Sequence, residues 1–172
     1  CERPFPWRRQ LDDLAAEPGS PACIALTGGE PLLMADEAVA FFSRASELFP
    51  AAHLRLYTSG DLLSRELIDR LVRAGLHEIR FSVKQDDKPE LLEKVLERMA
   101  WAREQVPTVM VEMPVIPGTD SFMKELLAKL DALGVDGVNL LEFAYAMWNW
   151  PVFESLGLTL RNPPQQVVFD YT

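Results

Sequence analysis

The chain has 172 residues, of which 48% are hydrophobic and 25% are charged, as in an ordinary globular domain. Its formal net charge is -9 and no basic stripe interrupts the excess of acid, so nucleic acid is a poor candidate partner. No apolar run approaches the about 18 residues of a membrane span and no signal-like segment opens the chain, which predicts a cytoplasmic protein that binds no membrane.

Short apolar runs rich in β-branched residues alternate with helical patterns. Strands are predicted at residues 23–27, 54–58, 79–83, 108–116, 137–143 and 166–171, and helices at 7–15, 36–49, 64–75, 87–102 and 120–134. Successive strands begin about 30 residues apart, which is the length of a strand, a crossover helix and their loops. This spacing predicts an α/β protein with parallel strands, either an open doubly wound sheet or most of a (β/α) barrel.

Several helix ends carry their own signals. Ser64 is expected to cap one helix and Gly75 to end it, while Pro89 suits the first position of the next helix. Asp120 is expected to cap the helix that Gly134 ends. In both candidate architectures ligands bind at the carboxyl ends of the strands, so the residues just after each strand are the candidate site.

The first strand end reads Thr-Gly-Gly-Glu-Pro from Thr27. Gly28 and Gly29 allow the backbone to adopt positive φ and to approach a ligand closely, and Glu30 suits an ammonium group. The motif lacks the GxGxxG and GK[ST] patterns of phosphate-binding loops. A purely structural turn is the alternative interpretation.

Later strand ends add polar and rigid groups. Residues 58–60 (TSG) offer hydroxyls, and Ser82 and Lys84 offer a hydroxyl and a cation on one face of a strand. Lys84 could pair with a ligand carboxylate or be an ordinary surface lysine. Residues 114–118 (PVIPG) form a rigid exit that suits a flat ring, or a plain strand-to-helix turn.

Taken in order, these strand ends resemble the radical S-adenosylmethionine (radical SAM) superfamily, and most closely its glycyl-radical-enzyme activating proteins. The stretches that carry the resemblance are TGGEPLL from Thr27, TSG from Thr58, SVKQD from Ser82, PVIPGTD from Pro114 and NLLEF from Asn139. Together they extend over residues 23–143. Their joint order at the βα spacing is far more specific than any one of them.

The resemblance implies a partial (β/α) barrel, related to the TIM barrel, with parallel strands and outer helices. It implies an enzyme that binds S-adenosylmethionine and, with a 4Fe-4S cluster, cleaves it reductively to a 5'-deoxyadenosyl radical that takes hydrogen from an unknown substrate. An electron donor such as flavodoxin or ferredoxin is the implied partner. The implied contacts are Gly28, Gly29 and Glu30 for the amine, Thr58, Ser82 and Lys84 for the carboxylate or ribose, and Val115, Ile116, Leu141 and Glu142 for the adenine side.

The cluster of this superfamily needs three cysteines, typically CxxxCxxC, after a first strand, and the chain has neither that motif nor that strand. Cys1 could be the third cluster cysteine and hence a metal ligand, or an accidental terminal thiol. Cys23 lies within a strand and is expected to be a small core residue. The length also falls short of the about 250 residues of a complete barrel, so we expect residues 1–172 to form one incomplete domain of a longer protein.

Two other functions stay open. The aromatic run 145–153, with Trp148 and Trp150, could be a lid, or it could bind a partner in a degenerate, non-catalytic relative of the radical SAM enzymes. The other open function is an ordinary barrel aldolase or isomerase, and Lys84 is the one residue that supports it. His53 and His77 precede strands at the opposite end from the candidate site and are expected to be ordinary surface residues.

Overall fold

The computed structural model describes residues 6–83, 88–116, 118–142, 150–155 and 157. The chain divides into two compact units, Cys1–Leu141 and Glu142–Thr172. The elements are α1 (Trp7–Ala16), β1 (Cys23–Leu26), a 3-10 turn (Pro31–Met34), α2 (Ala35–Leu48), β2 (His53–Thr58), α3 (Arg65–Arg73), β3 (Glu78–Ser82), α4 (Pro89–Arg103), β4 (Thr108–Val115), α5 (Asp120–Leu133), β5 (Gly137–Glu142) and α6 (Trp150–Ser155). None of the described helices is long and apolar enough to cross a membrane.

The five strands form one parallel sheet in the order β1-β2-β3-β4-β5. Each strand therefore neighbours the next one in sequence. A doubly wound sheet reverses its strand order at a switch point, and this sheet has no such reversal among the described strands. Sequential parallel strands joined by helices are the wall of a (β/α) barrel, so the partial barrel predicted from the sequence is confirmed.

The two faces of the sheet differ in chemistry because side chains alternate along each strand. The helix-facing side is apolar and buried; its fully covered members include Leu54, Leu56, Ile79, Phe81, Val109, Val111 and Met113. The opposite side, which we call the inner face, is polar. Its members include Cys23, His53, Arg55, Tyr57, Glu78, Arg80, Ser82, Glu112 and Asn139. Helices α1 to α5 cover the apolar side, where Phe42, Ile68, Met99 and Leu126 complete the core.

The helix ends mostly follow their sequence signals. The Ser64 side chain accepts a hydrogen bond from the Leu67 N–H at 3.1 Å, and Pro89 is the first residue of α4, as predicted. Gly134 ends α5 with φ +68°. The prediction for Asp120 is wrong, because Asp120 is the first helical residue of α5 and the preceding Thr119 makes no side-chain cap. The sixth predicted strand, residues 166–171, lies outside the described residues.

Among the residues near the amino ends of the strands, the prediction for Cys23 is also wrong. Cys23 is exposed, because it opens β1 on the inner face, in register with His53. The two histidines lie at the surface, with His77 exposed and His53 half-buried, and their rings stack with centroids 5.6 Å apart. His53 Nε2 lies 2.6 Å from Glu78 Oε2, and His77 Nδ1 accepts the Leu54 N–H at 3.1 Å.

Candidate functional site

The carboxyl ends of the parallel strands lie along one edge of the sheet, which we call the carboxyl edge. β1 ends at Leu26, β2 at Thr58, β3 at Ser82 and β4 at Val115. The loops that follow them hold most of the residues that the sequence singled out, so the fold does bring these residues to a common edge. Cys1, Lys84 and the side chain of Glu142 are outside the described residues. The aromatic run, apart from part of α6, is outside them as well.

The glycine pair after β1 has the conformation that the sequence predicted. Gly28 has φ +93° and Gly29 has φ +53°, both in the region that residues with a side chain rarely adopt. Among the described residues, no heavy atom lies within 4 Å of the position that a Cβ would take on either glycine. The peptide groups of this turn are therefore accessible, and a ligand can approach their N–H and C=O groups closely.

Glu30 accepts four hydrogen bonds, and three of them link this turn to the end of β2. Its Oε1 accepts the Thr58 hydroxyl at 2.7 Å and the Leu32 N–H at 3.0 Å. Its Oε2 accepts both the N–H and the hydroxyl of Ser59, each at 2.7 Å. A carboxylate has about four lone-pair positions, so these bonds fill them. All four donors are neutral, and among the described residues no ion pair joins a cation to Glu30.

Thr58 takes part in this hydrogen-bond network from a buried position. Only 3% of Thr58 is exposed, and its hydroxyl both donates to Glu30 and accepts the Gly60 N–H at 3.0 Å. Gly60 has φ +85°, and a Cβ there would lie 2.8 Å from the ring of Phe81. The TSG sequence thus forms a tight turn that rests on the apolar core and presents Ser59 to Glu30.

The sequence offered the Ser59 hydroxyl at this strand end but gave it no partner, and Ser59 makes two of the four bonds to Glu30. A hydroxyl beside the Thr58 hydroxyl was the available signal. Sequence alone did not show that both would converge on an acid almost thirty residues upstream, because that needs the pairing of β1 with β2.

The other predicted contacts at the carboxyl edge are open. Ser82 is exposed at the end of β3, and 42% of Val115 and 40% of Leu141 are exposed at the ends of β4 and β5. Ile116 is half-buried just after β4. Hydroxyl, peptide and apolar groups are therefore all available along this edge.

A chain of ion pairs crosses the inner face behind the carboxyl edge. Arg80 donates from Nε to Glu78 Oε1 at 2.5 Å and from Nη1 to Glu112 Oε1 at 2.7 Å. Asn139 Nδ2 donates to the same Glu112 oxygen at 3.0 Å. Burial alone would raise the pKa of Glu78, but hydrogen bonds from Arg80 and His53 and the nearby guanidinium charges lower it below its ordinary value.

The described residues contain no group of three or more His, Cys, Asp and Glu side chains that could hold a metal ion. Cys23, the one cysteine among them, opens β1 and therefore lies at the amino end of the strand, away from the carboxyl edge. The donor set for an iron-sulfur cluster is not formed by this part of the chain.

Comparison with known proteins identifies the family. Residues 7–130 match the family model of the radical SAM superfamily, which is more than half of the chain. The chain belongs to the radical SAM superfamily. This radical SAM region includes the glycine turn, Glu30 and the ends of β2, β3 and β4.

Two relatives of this radical SAM chain are informative. One is a Methanocaldococcus jannaschii protein named as a candidate glycyl-radical enzyme activating enzyme; it is 27% identical over 145 residues, which are 81% of this chain and 38% of the relative. The other is the structure of native anSMEcpe with bound AdoMet, which has a TM-score of 0.63 and 16% identity and covers 81% of this chain and 43% of that one. The chain thus spans about two fifths of each relative. The structural likeness shows the shared fold.

Proposed function

We propose that this chain is the S-adenosylmethionine-binding part of a radical SAM enzyme. The observation that carries the proposal is the Glu30 network, which holds an open two-glycine turn at the carboxyl edge next to a negative charge. S-adenosylmethionine brings an ammonium, a carboxylate and a flat adenine, and it supplies a 5'-deoxyadenosyl radical when an iron-sulfur cluster reduces it. Membership of the radical SAM superfamily supports the assignment.

The backbone carbonyls of the glycine turn and the charge of Glu30 would act on the ammonium group in different ways. The lone pairs of Glu30 are already filled by Thr58, Leu32 and Ser59, so the direct acceptors are the carbonyls of Gly28 and Gly29. Glu30 would contribute its negative charge at short range and keep the turn in place. This division of roles refines the expectation that the Glu30 side chain itself binds the amine.

The remaining contacts divide between polar and apolar groups. Ser82, with Lys84 two residues later, would face the carboxylate or the ribose, and Val115, Ile116 and Leu141 would border the adenine. Thr58 is too buried to contact the ligand, so we assign it as a positioning residue that acts through Glu30.

The cluster does not fit the described residues, since Cys23 lies at the wrong end of β1. We propose Cys1 as one cluster ligand; the sequence has only two cysteines, so it does not itself supply the three that the cluster of this superfamily needs. The name of the M. jannaschii relative suggests a protein substrate carrying a glycyl-radical site, and a reduced flavodoxin or ferredoxin would supply the electron.

The test uses the full-length protein, reconstituted anaerobically with iron and sulfide and mixed with a reductant and S-adenosylmethionine. We expect 5'-deoxyadenosine as a product, measured by chromatography and mass spectrometry. No 5'-deoxyadenosine from a protein with an intact cluster would contradict the enzyme assignment. S-adenosylmethionine binding without cleavage would instead support the non-catalytic relative.

A matched pair of variants tests whether the Glu30 network contributes to S-adenosylmethionine binding. Glu30→Gln places an amide NH2 against donors of the network, and an unpaired buried donor costs about 1–3 kcal/mol. We expect the dissociation constant for S-adenosylmethionine, measured by isothermal titration calorimetry, to rise at least about tenfold, since about 1.4 kcal/mol corresponds to that factor. Glu47→Gln changes an exposed acid on α2 that pairs with Arg44, and it should leave the constant unchanged.

A further inference from the structure

The inner face carries two arginines that the proposed S-adenosylmethionine contacts do not use. Arg55 on β2 and Arg80 on β3 both lie near the Tyr57 ring, with their guanidinium carbons 6.0 Å and 5.6 Å from its centroid. Their side chains are 24% and 17% exposed. Both positively charged groups are thus held against one aromatic ring while part of each stays accessible.

The acids of the inner face are largely occupied. Glu78 Oε1 lies 2.5 Å from Arg80 Nε and 3.0 Å from Arg55 Nε, and Glu78 Oε2 lies 2.6 Å from His53. Glu112 Oε1 accepts from both Arg80 and Asn139. Glu112 Oε2 is the one carboxylate oxygen of this cluster without a hydrogen bond in the described chain. The cluster therefore has few acceptors left to offer a ligand.

Donors are in surplus, chiefly on Arg55. A guanidinium has five N–H groups, and within the described chain Arg55 makes one hydrogen bond, from Nη1 to the Tyr57 hydroxyl at 3.3 Å. Its Nε is buried within ion-pair distance of Glu78, yet this N–H makes no hydrogen bond there. Arg80, by contrast, is fixed by both acids. A ligand group with several acceptor oxygens would accept hydrogen bonds from the remaining donors of Arg55 without displacing Arg80 from Glu78 and Glu112.

The position of these arginines relates them to the reaction. Arg80 precedes Ser82 by two residues on the same face, a rise of about 7 Å along the strand. Arg55 is adjacent to Glu78 in the register of β2 and β3. A group bound by Arg55 and Arg80 would therefore lie on the inner face just behind the carboxyl edge, beside the proposed S-adenosylmethionine contacts and not within them.

We propose that Arg55, supported by Arg80 and Tyr57, binds an oxyanion group of the substrate, either a carboxylate or a phosphate. Guanidinium groups match the planar or tetrahedral oxygens of these anions through paired N–H donors. This inference rests on the proposed function, because it names the chemical class of substrate group that is held next to the S-adenosylmethionine site. The shared chemistry is an anion with several acceptor oxygens and no obligatory donor.

The experiment follows the arginine Nε–H signals of the isotope-labelled full-length protein by nuclear magnetic resonance. Inorganic phosphate and glutarate are titrated separately, against sodium chloride at matched ionic strength. The buried Nε of Arg55 is shielded from solvent, which favours observation of its proton, and the Arg55→Lys variant assigns its signal. We expect a saturable shift of the Arg55 and Arg80 signals with one or both anions, with a dissociation constant in the millimolar range.

Variants separate a specific site from general charge attraction. Arg55→Gln should weaken the effect of the anion on the Arg80 signal at least about tenfold, which corresponds to about 1.4 kcal/mol, and Arg55→Lys should restore part of it. Arg9→Gln removes a highly exposed arginine of α1 and should change nothing. A folded Arg55→Lys protein keeps the test valid if Arg55→Gln fails to fold.

The outcomes are separable. Saturation with phosphate alone identifies a phosphate group, and saturation with glutarate alone identifies a carboxylate. No saturable shift with either anion, or equal behaviour of Arg55→Gln and Arg9→Gln, would overturn the inference. The titration needs neither S-adenosylmethionine nor reduction, so it can fail while 5'-deoxyadenosine forms, or succeed while 5'-deoxyadenosine is absent.

Discussion

The two faces of the sheet belong to the same strands, yet one is held by apolar packing and the other by ion pairs. On β3, Ile79 and Phe81 are fully buried against the helices, whereas Glu78 and Arg80 on the inner face exchange ion pairs with the neighbouring strands. The apolar side gains stability from each buried carbon atom. The inner face instead satisfies its charges with one another, which fixes their positions and leaves donors accessible.

This difference shows where substitutions should be tolerated. Interiors are close-packed, so a change on the helix-facing side leaves a cavity or an overlap. On the inner face Glu78 is buried, but the side chains of Arg55 and Arg80 stay 24% and 17% exposed, so water can replace part of a lost ion pair. Substitutions on the helix-facing side should therefore lower the free energy of unfolding more than substitutions on the inner face.

Phe81→Ala should be the most damaging single change. Phe81 is fully buried on the helix-facing side and lies beneath Gly60 at the end of β2. Truncating a buried phenylalanine typically lowers the free energy of unfolding by about 3–5 kcal/mol. Urea unfolding monitored by circular dichroism measures the loss. A loss as small as that of an inner-face substitution would contradict the proposed contrast between the faces.

Gly60→Ala tests the contact between the apolar side and the carboxyl edge. Alanine at this position would have to keep φ +85°, and its Cβ would lie 2.8 Å from the Phe81 ring. Strain and overpacking together should cost about 2–4 kcal/mol. Gly29→Ala is the control, because it needs φ +53° but meets no described atom within 4 Å, and it should cost only about 1–2 kcal/mol. Equal losses would show that the ring does not limit this turn.

Glu78→Gln tests the inner face through the pH dependence of stability. The arginines 55 and 80 and His53 face this carboxyl, and the folded-state pKa is lowered, so the ionised form stabilises the fold. That contribution is fully present above the ordinary pKa of 4.5 and is lost as the pH falls through the folded-state value. The variant should lose about 1–3 kcal/mol at neutral pH. The difference from the parent protein should shrink below pH 4.5 in urea titrations; a constant difference would contradict the pairing.

The sequence predicted the fold well because its signals are local. Apolar patterns and caps such as Ser64 depend on residues close in sequence, and they placed the elements to within a few residues. The glycine turn was predicted for the same reason. The inner-face ion pairs were not predicted, since Arg80 meets Glu112 only through the register of β3 with β4. The bond from Ser59 to Glu30 was not predicted, because Glu30 lies at another strand end.

Cys23→Ser is the smallest expected change and the sharpest test of which face Cys23 occupies. Replacing a cysteine inside an apolar core by serine would lower the free energy of unfolding by about 1–3 kcal/mol, because the new hydroxyl would be buried without a partner. Cys23 is exposed on the inner face beside His53, where water can hydrate the serine, so the free energy of unfolding should change by less than about 0.5 kcal/mol. Ile24→Ala changes the next residue, which faces the helices and is 9% exposed, and it should cost about 2–5 kcal/mol. Similar losses for these two adjacent positions would mean that alternation along β1 does not separate a covered face from an open one.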